Sequence, residues 1–134
     1  MTKEKMLEQL ERMGVKKIYK PYYEPESGQI CLTVRKPPVI TDGQMKGSSI
    51  EVYDKSSFLV WTSHKSKAMR IARENGFKIN IFDGEAEMFI PAIRADEFLK
   101  VMGAKVKSNR KASPQAIKAL EQYHRNKRLA AQNP

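Results

Sequence analysis

The segment of residues 57–103 carries the clearest secondary-structure pattern in the chain and constrains the fold most. The apolar run of residues 57–62 predicts a buried strand, with Trp61 in the core. Apolar side chains at helical spacing then predict a helix over residues 64–75, with Ser63 as its N-terminal cap.

A hairpin and a second helix complete this segment. Residues 77–81 and 85–90 alternate apolar and polar side chains on either side of Asp83-Gly84, a dipeptide typical of hairpin turns. Residues 93–102 predict an amphipathic helix that ends at Gly103. The segment is therefore expected to form a β-α-β-β-α unit whose two helices cover one face of a sheet.

The N-terminal half predicts a helix and a hairpin. Thr2 is a suitable helix cap, and Pro25 to Gly28 have the composition of a turn. A helix is predicted over residues 2–13, and the two hairpin strands over residues 16–23 and 29–35. A loop over residues 39–49 and a short strand over residues 50–53 are predicted to follow.

These patterns predict an α+β fold. A chain of 134 residues forms one small domain, here with an antiparallel or mixed sheet and an N-terminal helix. Residues 1–103 are expected to be the compact α/β domain. Residues 104–134 are expected to be a basic linker, 104–112, followed by a C-terminal helix over 114–131 that starts at Ser113-Pro114.

Net charge is concentrated in the C-terminal arm, defined as residues 104–134. The arm has eight basic residues and one acidic residue, Glu121, so it holds +7 of the chain's +10. Residues 1–103, with seventeen basic and fourteen acidic residues, hold the remaining +3. Cationic segments of this kind are typical of proteins that bind polyanions, of which nucleic acid is the commonest.

Several function classes have no support in the sequence. Cys31 is the single cysteine, which excludes an internal disulfide and a thiolate metal cluster. The longest apolar run, residues 58–61, is too short for a transmembrane helix. The N-terminus has no apolar signal core, so a cytoplasmic protein without membrane contact is expected. No catalytic motif is present, and neither an enzyme nor a cofactor is predicted.

The candidate nucleic-acid-binding residues form two groups, on the arm and on the helix after Ser63. Lysine and arginine release condensed counterions when they neutralise phosphates, so even an unspecific basic arm gains affinity. The arm could instead dock on an acidic protein or serve solubility alone. The candidates are Lys105, Lys107, Arg110, Lys111, Lys118, Arg125, Lys127 and Arg128 on the arm, and Lys65, Lys67, Arg70 and Arg73 on the helix.

A set of tyrosines and lysines on the first hairpin strand resembles a single-strand stacking platform. Alternation divides this set, because Tyr19 and Tyr23 share one face and Tyr22 lies on the other. The ordinary alternative is that these rings pack in the fold.

Two further features have ordinary structural explanations. The helix start at Ser63, with Lys65 and Lys67, could bind an anion through free backbone amides, or it could be a solvated helix end. The acids Asp83 and Glu85, with Glu87, could hold a metal, but turn chemistry explains Asp83-Gly84.

The sequence therefore predicts a non-enzymatic nucleic-acid-binding accessory protein that contacts phosphates through its basic arm. The alternative is a protein-interaction module, an inhibitor or adaptor that docks on an acidic protein surface. Residues 83–103 have the style of small bacteriophage or mobile-element proteins, with no family signature. Whether the polyanion is DNA or RNA, and which oligomer forms, are left open.

Overall fold

A computed structural model describes residues 1–107 and 114–132. The strands in this part of the chain are β1 (Pro21–Glu24), β2 (Gln29–Leu32), β3 (Val39–Thr41), β4 (Gln44–Lys46), β5 (Ser48–Asp54), β6 (Ser57–Thr62), β7 (Ile79–Phe82) and β8 (Glu85–Pro91). The α-helices are α1 (Lys3–Arg12), α2 (Lys65–Asn75), α3 (Ala95–Phe98) and α4 (Pro114–Gln132), with a 3₁₀ turn at Ala92–Arg94.

Six strands form one antiparallel sheet in the order β1-β2-β5-β6-β8-β7, and β3 and β4 form a separate ribbon. The buried residues of α1, α2 and α3 join the core on one face of the sheet. The predicted α+β class and the β-α-β-β-α unit are confirmed. Of the two predicted alternatives, an antiparallel or a mixed sheet, the structure has the antiparallel one.

The helix-covered face of the sheet, the inner face, is almost entirely apolar. Its buried residues include Phe58, Val60 and Met88, none of which is measurably exposed. The buried polar pair on this face, Ser48 and Thr62, shares a hydrogen bond of 2.8 Å between its hydroxyls. Strand alternation in β5, β6 and β8 therefore builds most of the core.

The opposite face, the outer face, carries aromatic and acidic side chains. Trp61 lies here, half-buried, paired in register with Ser49 and Glu87. The prediction that Trp61 lies in the core is wrong. Phe58, Val60 and Thr62 point inward, so strict alternation places Trp61 outward even within an apolar run.

Helix α1 is built as the sequence predicts. The Thr2 hydroxyl accepts a hydrogen bond of 3.2 Å from the backbone N–H of Lys5. Met6 and Leu10 are buried, and Met13 extends the same apolar stripe into the core. An N-terminal cap and one apolar stripe are sufficient to position this helix.

The prediction of a loop over residues 39–49 is wrong. The segment forms the β3–β4 ribbon around Asp42-Gly43, whose φ values of 53° and 75° suit a two-residue hairpin turn. At the base of the ribbon, a Cβ on Gly47 would lie 2.5 Å from the Pro37 carbonyl oxygen. Glycine is therefore required where the ribbon rejoins β5.

Other boundaries moved by a few residues. The first hairpin is shorter than predicted, whereas β5 is longer, spanning Ser48–Asp54. The predicted helix over 93–102 is replaced by the 3₁₀ turn, the short helix α3 and further turns. Leu99 and Met102 are nevertheless buried as an amphipathic helix requires. Gly76 ends α2 with φ 71°, as predicted.

Candidate nucleic-acid interface

The arm begins inside the body of the protein. Residues 104–107 lie against the end of the first hairpin, with Ala104 bridged to Val34 and Val106 bridged to Tyr19. The backbone N–H of Lys105 donates to Thr33, and Ala104 is 1% exposed. The predicted linker is therefore wrong for these four residues, whose alternating Ala and Val side chains pack on the core.

The cations of the arm are exposed wherever the structure describes their side chains. Lys105 and Lys107 are exposed at the root of the arm, and Lys118, Arg125 and Lys127 are exposed along α4. The predicted residues Arg110 and Lys111 lie outside the described residues. Arg128 lies within α4, but its side chain is not described.

Helix α4 matches the predicted helix closely, starting at Pro114 and ending one residue later than expected. Lys118 and Arg125 lie within roughly 20° of each other around the helix axis. Among the described side chains, neither forms an ion pair, although Glu121 lies within one turn of both. Their charges are thus available to an external anion.

The four cations predicted on α2 are spread across the solvent-exposed half of the helix. Arg70 and Arg73 are exposed on the outward side of the helix, whereas Lys65 and Lys67 are half-buried on opposite flanks, roughly 160° apart. Lys67 donates through Nζ to the carbonyl of Val101. The apolar stripe of α2 separates the two lysines.

Lys67 belongs instead to a basic cleft of about 250 Å³. Arg35 and Lys36, from the connection after β2, line the same cleft together with His64. Arg35 donates from its guanidinium to the Lys100 carbonyl at 3.2 Å. The lining includes no carboxylate, so three cations converge there without a compensating acid.

Arg35 and Lys36 were not predicted as site residues. They are about thirty positions from Lys67 in the sequence. Their proximity depends on how the end of β2 meets the turn after α3, since the Arg35 backbone N–H donates to the Gly103 carbonyl at 2.8 Å. The distribution of charge along the sequence therefore does not predict that Arg35 and Lys36 lie near Lys67.

The start of α2 differs from the prediction. Ser63 does not cap the helix, because its hydroxyl is bonded to the backbone of Gly47, accepting at 3.0 Å and donating at 3.3 Å. The N-terminal cap is His64, whose side chain makes no capping hydrogen bond. The Thr62 hydroxyl accepts from the His64 backbone N–H at 3.1 Å. Ser63 therefore anchors the ribbon rather than the helix.

The tyrosines of the first hairpin do not form a platform. Tyr19 is 3% exposed, and its burial, with a smaller contribution from Asp96, raises the pKa of its phenol. Tyr23 packs against the core, while Tyr22 is exposed on the outer face. The predicted division of these rings is confirmed, and packing accounts for two of the three.

Two of the acids near the β7–β8 turn, Asp83 and Glu85, line a cleft together with His64, whereas Glu87 does not line it. Glu85 and Glu87 lie on the outer face, and Asp83 lies in the turn. Within residues 1–107 and 114–132, no group of three His, Cys, Asp or Glu side chains is placed to hold a metal ion.

Among the described helices, none combines the length and the hydropathy needed to cross a bilayer. In comparisons with known proteins, no family model, no curated protein and no solved structure matches the chain.

Proposed function

We propose that this protein is a non-enzymatic accessory protein of the cytoplasm that binds nucleic acid through the phosphate backbone. The observation that supports this best is helix α4, on which Lys118, Arg125 and Lys127 are exposed and, among described residues, free of ion pairs. Each such cation can replace a condensed counterion on a phosphate.

The basic cleft extends this interface onto the body. Lys67, Arg35 and Lys36 converge there, and the exposed Arg70 and Arg73 continue the positive surface along α2. Phosphate contacts of this kind position a protein on nucleic acid without specifying sequence. The proposed binding is therefore strongly dependent on salt and weakly dependent on base sequence.

The test compares two triple variants of the full-length chain with equal net charge. In the arm variant, Lys118, Arg125 and Lys127 are changed to Gln. In the control, the exposed residues Lys3, Lys5 and Lys55 are changed to Gln. Fluorescence anisotropy measures binding to labelled single- and double-stranded DNA and RNA over a range of salt concentrations.

The arm variant is expected to bind more weakly, and its salt slope on duplex DNA is expected to fall by roughly 2 to 3. The control is expected to retain the slope of the unmodified protein. Equal binding by the two variants, or no binding by the unmodified protein at physiological salt, contradicts the proposal.

A second candidate function is docking on an acidic protein surface. Leu120 and Tyr123 favour it, since they are 59% and 61% exposed on α4 and phosphate binding requires neither. A pull-down from nuclease-treated lysate separates the two functions. Protein partners that survive nuclease treatment and are lost in Leu120→Ser/Tyr123→Ser support this candidate.

A further inference from the structure

The outer face of the sheet is an uncovered aromatic surface. Tyr53 is 57% exposed and stacks edge-on against Phe89 with ring centroids 4.9 Å apart, and Phe82 is 45% exposed. On β6, Leu59 pairs in register with Phe89, and Trp61 lies two residues further along the strand; both are half-buried. Partly exposed apolar side chains that cluster on one face, as Tyr53 and Phe89 do, mark sites of association.

The same face is acidic at its centre. Glu51 and Glu87 flank β6, one paired in register with Leu59 and the other with Trp61. Desolvation, and then the charge of Glu87, raise the pKa of Glu51. Among the described residues, neither carboxylate has an ion-pair partner. A cation arriving from outside would relieve this repulsion, whereas a phosphate would be repelled.

Helix α4 has the complementary surface. Leu120 and Tyr123 are exposed, and Lys127 follows Tyr123 by one turn on the same line. Lys118 and Arg125 lie on the opposite side, roughly 170° from the centre of this stripe. A helix docked through the stripe therefore buries two apolar side chains, directs one cation at the surface and leaves two cations in solvent.

The dimensions of the helix and the sheet agree. Nineteen residues give α4 a length of about 28 Å. Six strands spaced about 4.8 Å apart span about 24 Å. Along the helix, Leu120, Tyr123 and Lys127 are separated by about 4.5 and 6 Å, close to the spacing of adjacent strands.

The arm also starts close enough to reach this face. Lys105 is hydrogen-bonded to Thr33 at the end of β2, and Glu87 on β8 is three strands away, roughly 14 Å. The six residues between Lys107 and Pro114 span up to about 24 Å. Attachment to the same chain gives α4 a high effective concentration at the sheet.

We propose that helix α4 docks across the outer face of its own sheet, running from β2 towards β7. Leu120 then lies on β5 beside Tyr53, Tyr123 on β6 beside Trp61, and Lys127 on β8 beside Glu87. Docking does not depend on nucleic-acid binding. One consequence rests on the proposed function: in the docked state Lys118 and Arg125 become a positioned phosphate-binding surface, and Lys127 no longer contacts phosphate. The loss of salt slope in the arm variant is then expected at the lower end, roughly 2.

Cys31 provides a direct test, because the chain's single cysteine lies on the outer face, in register with Glu51. A second cysteine is introduced in the full-length chain as Ala119→Cys, on the flank of the stripe, or as the control Lys118→Cys, on the far side. Both variants share the Cys31 thiol, whose pKa is raised by burial, so their rates compare proximity alone.

Under mild oxidation without nucleic acid, Ala119→Cys is expected to form an intramolecular disulfide about tenfold faster than Lys118→Cys. Equal rates overturn the proposal. Predominantly intermolecular disulfides also overturn it, since they indicate that α4 docks on a second copy.

Trp61, the single tryptophan of the chain, gives an independent readout. With excitation of tryptophan alone, Leu120→Ser/Tyr123→Ser is expected to shift the emission to the red, because undocking exposes the indole to water. The control Met69→Ser/Ile93→Ser changes exposed apolar side chains elsewhere, which are 42% and 92% exposed. An emission spectrum unchanged by the α4 variant contradicts docking.

These measurements contain no nucleic acid, so their outcome is separate from that of the binding assay. A fast Ala119→Cys disulfide in a protein that binds no oligonucleotide supports docking and refutes the proposed function. Salt-dependent oligonucleotide binding with equal disulfide rates refutes docking alone.

Discussion

The two faces of the six-stranded sheet are built from alternating residues of the same strands, but they have opposite chemistry. On the inner face, Phe58 is fully buried, and the hydroxyls of Ser48 and Thr62 are hydrogen-bonded to each other. On the outer face, Phe89 is half-buried beside Tyr53, near Glu51 and Glu87. The comparison indicates that the inner face supplies most of the stability, whereas the outer face has the side chains proposed to dock α4.

The largest expected difference comes from the same substitution made on each face. Phe58→Ala removes a fully buried ring and is expected to cost about 3–5 kcal/mol of unfolding free energy. Phe89→Ala is expected to cost about 2 kcal/mol, from the partial burial of the ring and the lost aromatic contact with Tyr53. Chemical denaturation measures both. Similar losses would show that the outer face is part of the stabilising core.

The polar pair of the inner face gives the next effect. Thr62→Val removes the hydroxyl partner of Ser48 and the acceptor of the His64 backbone N–H. An unfolding free energy lower by about 1–3 kcal/mol is expected, because buried polar groups lose their partners. In the double variant Ser48→Ala/Thr62→Val, part of this loss is expected to return. If the double variant is less stable than Thr62→Val, the unpaired Ser48 hydroxyl is not the cause of the lower unfolding free energy.

A smaller effect is expected at the edge of the outer face. The Lys78 ammonium lies 5.2 Å from the centre of the Phe89 ring. Lys78→Gln is expected to lower the unfolding free energy by about 0.5 kcal/mol, as for an exposed cation–π contact. In the Phe89→Ala background, the same change is expected to have no effect. If Lys78→Gln lowers the unfolding free energy equally in the unmodified protein and in Phe89→Ala, the loss comes from a contact other than the one with Phe89.

The smallest effect concerns the pH dependence of the acidic centre. Because the pKa of Glu51 is raised in the folded state, the folded state binds this proton more tightly than the unfolded state. Stability is therefore lost as the pH rises from the unfolded pKa through the higher folded pKa. Glu51→Gln is expected to remove that loss and stabilise the protein at neutral pH by a few tenths of a kcal/mol, since solvent screens a half-exposed group.

Thermal unfolding at pH 4 and pH 7 measures this change, with Glu74→Gln on the exposed surface of α2 as the charge-matched control. If both variants respond equally to pH, the position of Glu51 beside Glu87 has no influence on stability.

Much of the fold follows from local patterns. Alternation in residues 85–90, the Thr2 cap and the glycine at position 76 were sufficient to predict a strand, a helix start and a helix end. The dipeptide Asp-Gly correctly predicts the hairpin turn at 83–84, whereas the predicted loop over residues 39–49 contains a second Asp-Gly turn at 42–43. The second occurrence lies beside prolines and glycines without apolar alternation, so its strands are exposed and carry no burial pattern.

The residues of the candidate interface are harder to predict from the sequence than the elements of the fold. The arm's charge was visible, and exposure on α4 agrees with it. Lys65 and Lys67 were grouped by proximity in sequence, although the helix turns them to opposite flanks. Arg35 and Lys36 were missed because they meet Lys67 only through contacts between distant segments.

Local sequence patterns are sufficient to predict the α+β class, the positions of α1, α2, β6 and β8, and the concentration of positive charge in residues 104–134. Periodicity and capping are local, and charge is additive along a chain. Three features became visible only in the folded chain: Trp61 faces outward, residues 104–107 pack on the body, and Arg35 lies beside Lys67. Each of these depends on strand register and on contacts between segments distant in sequence, which no local window contains.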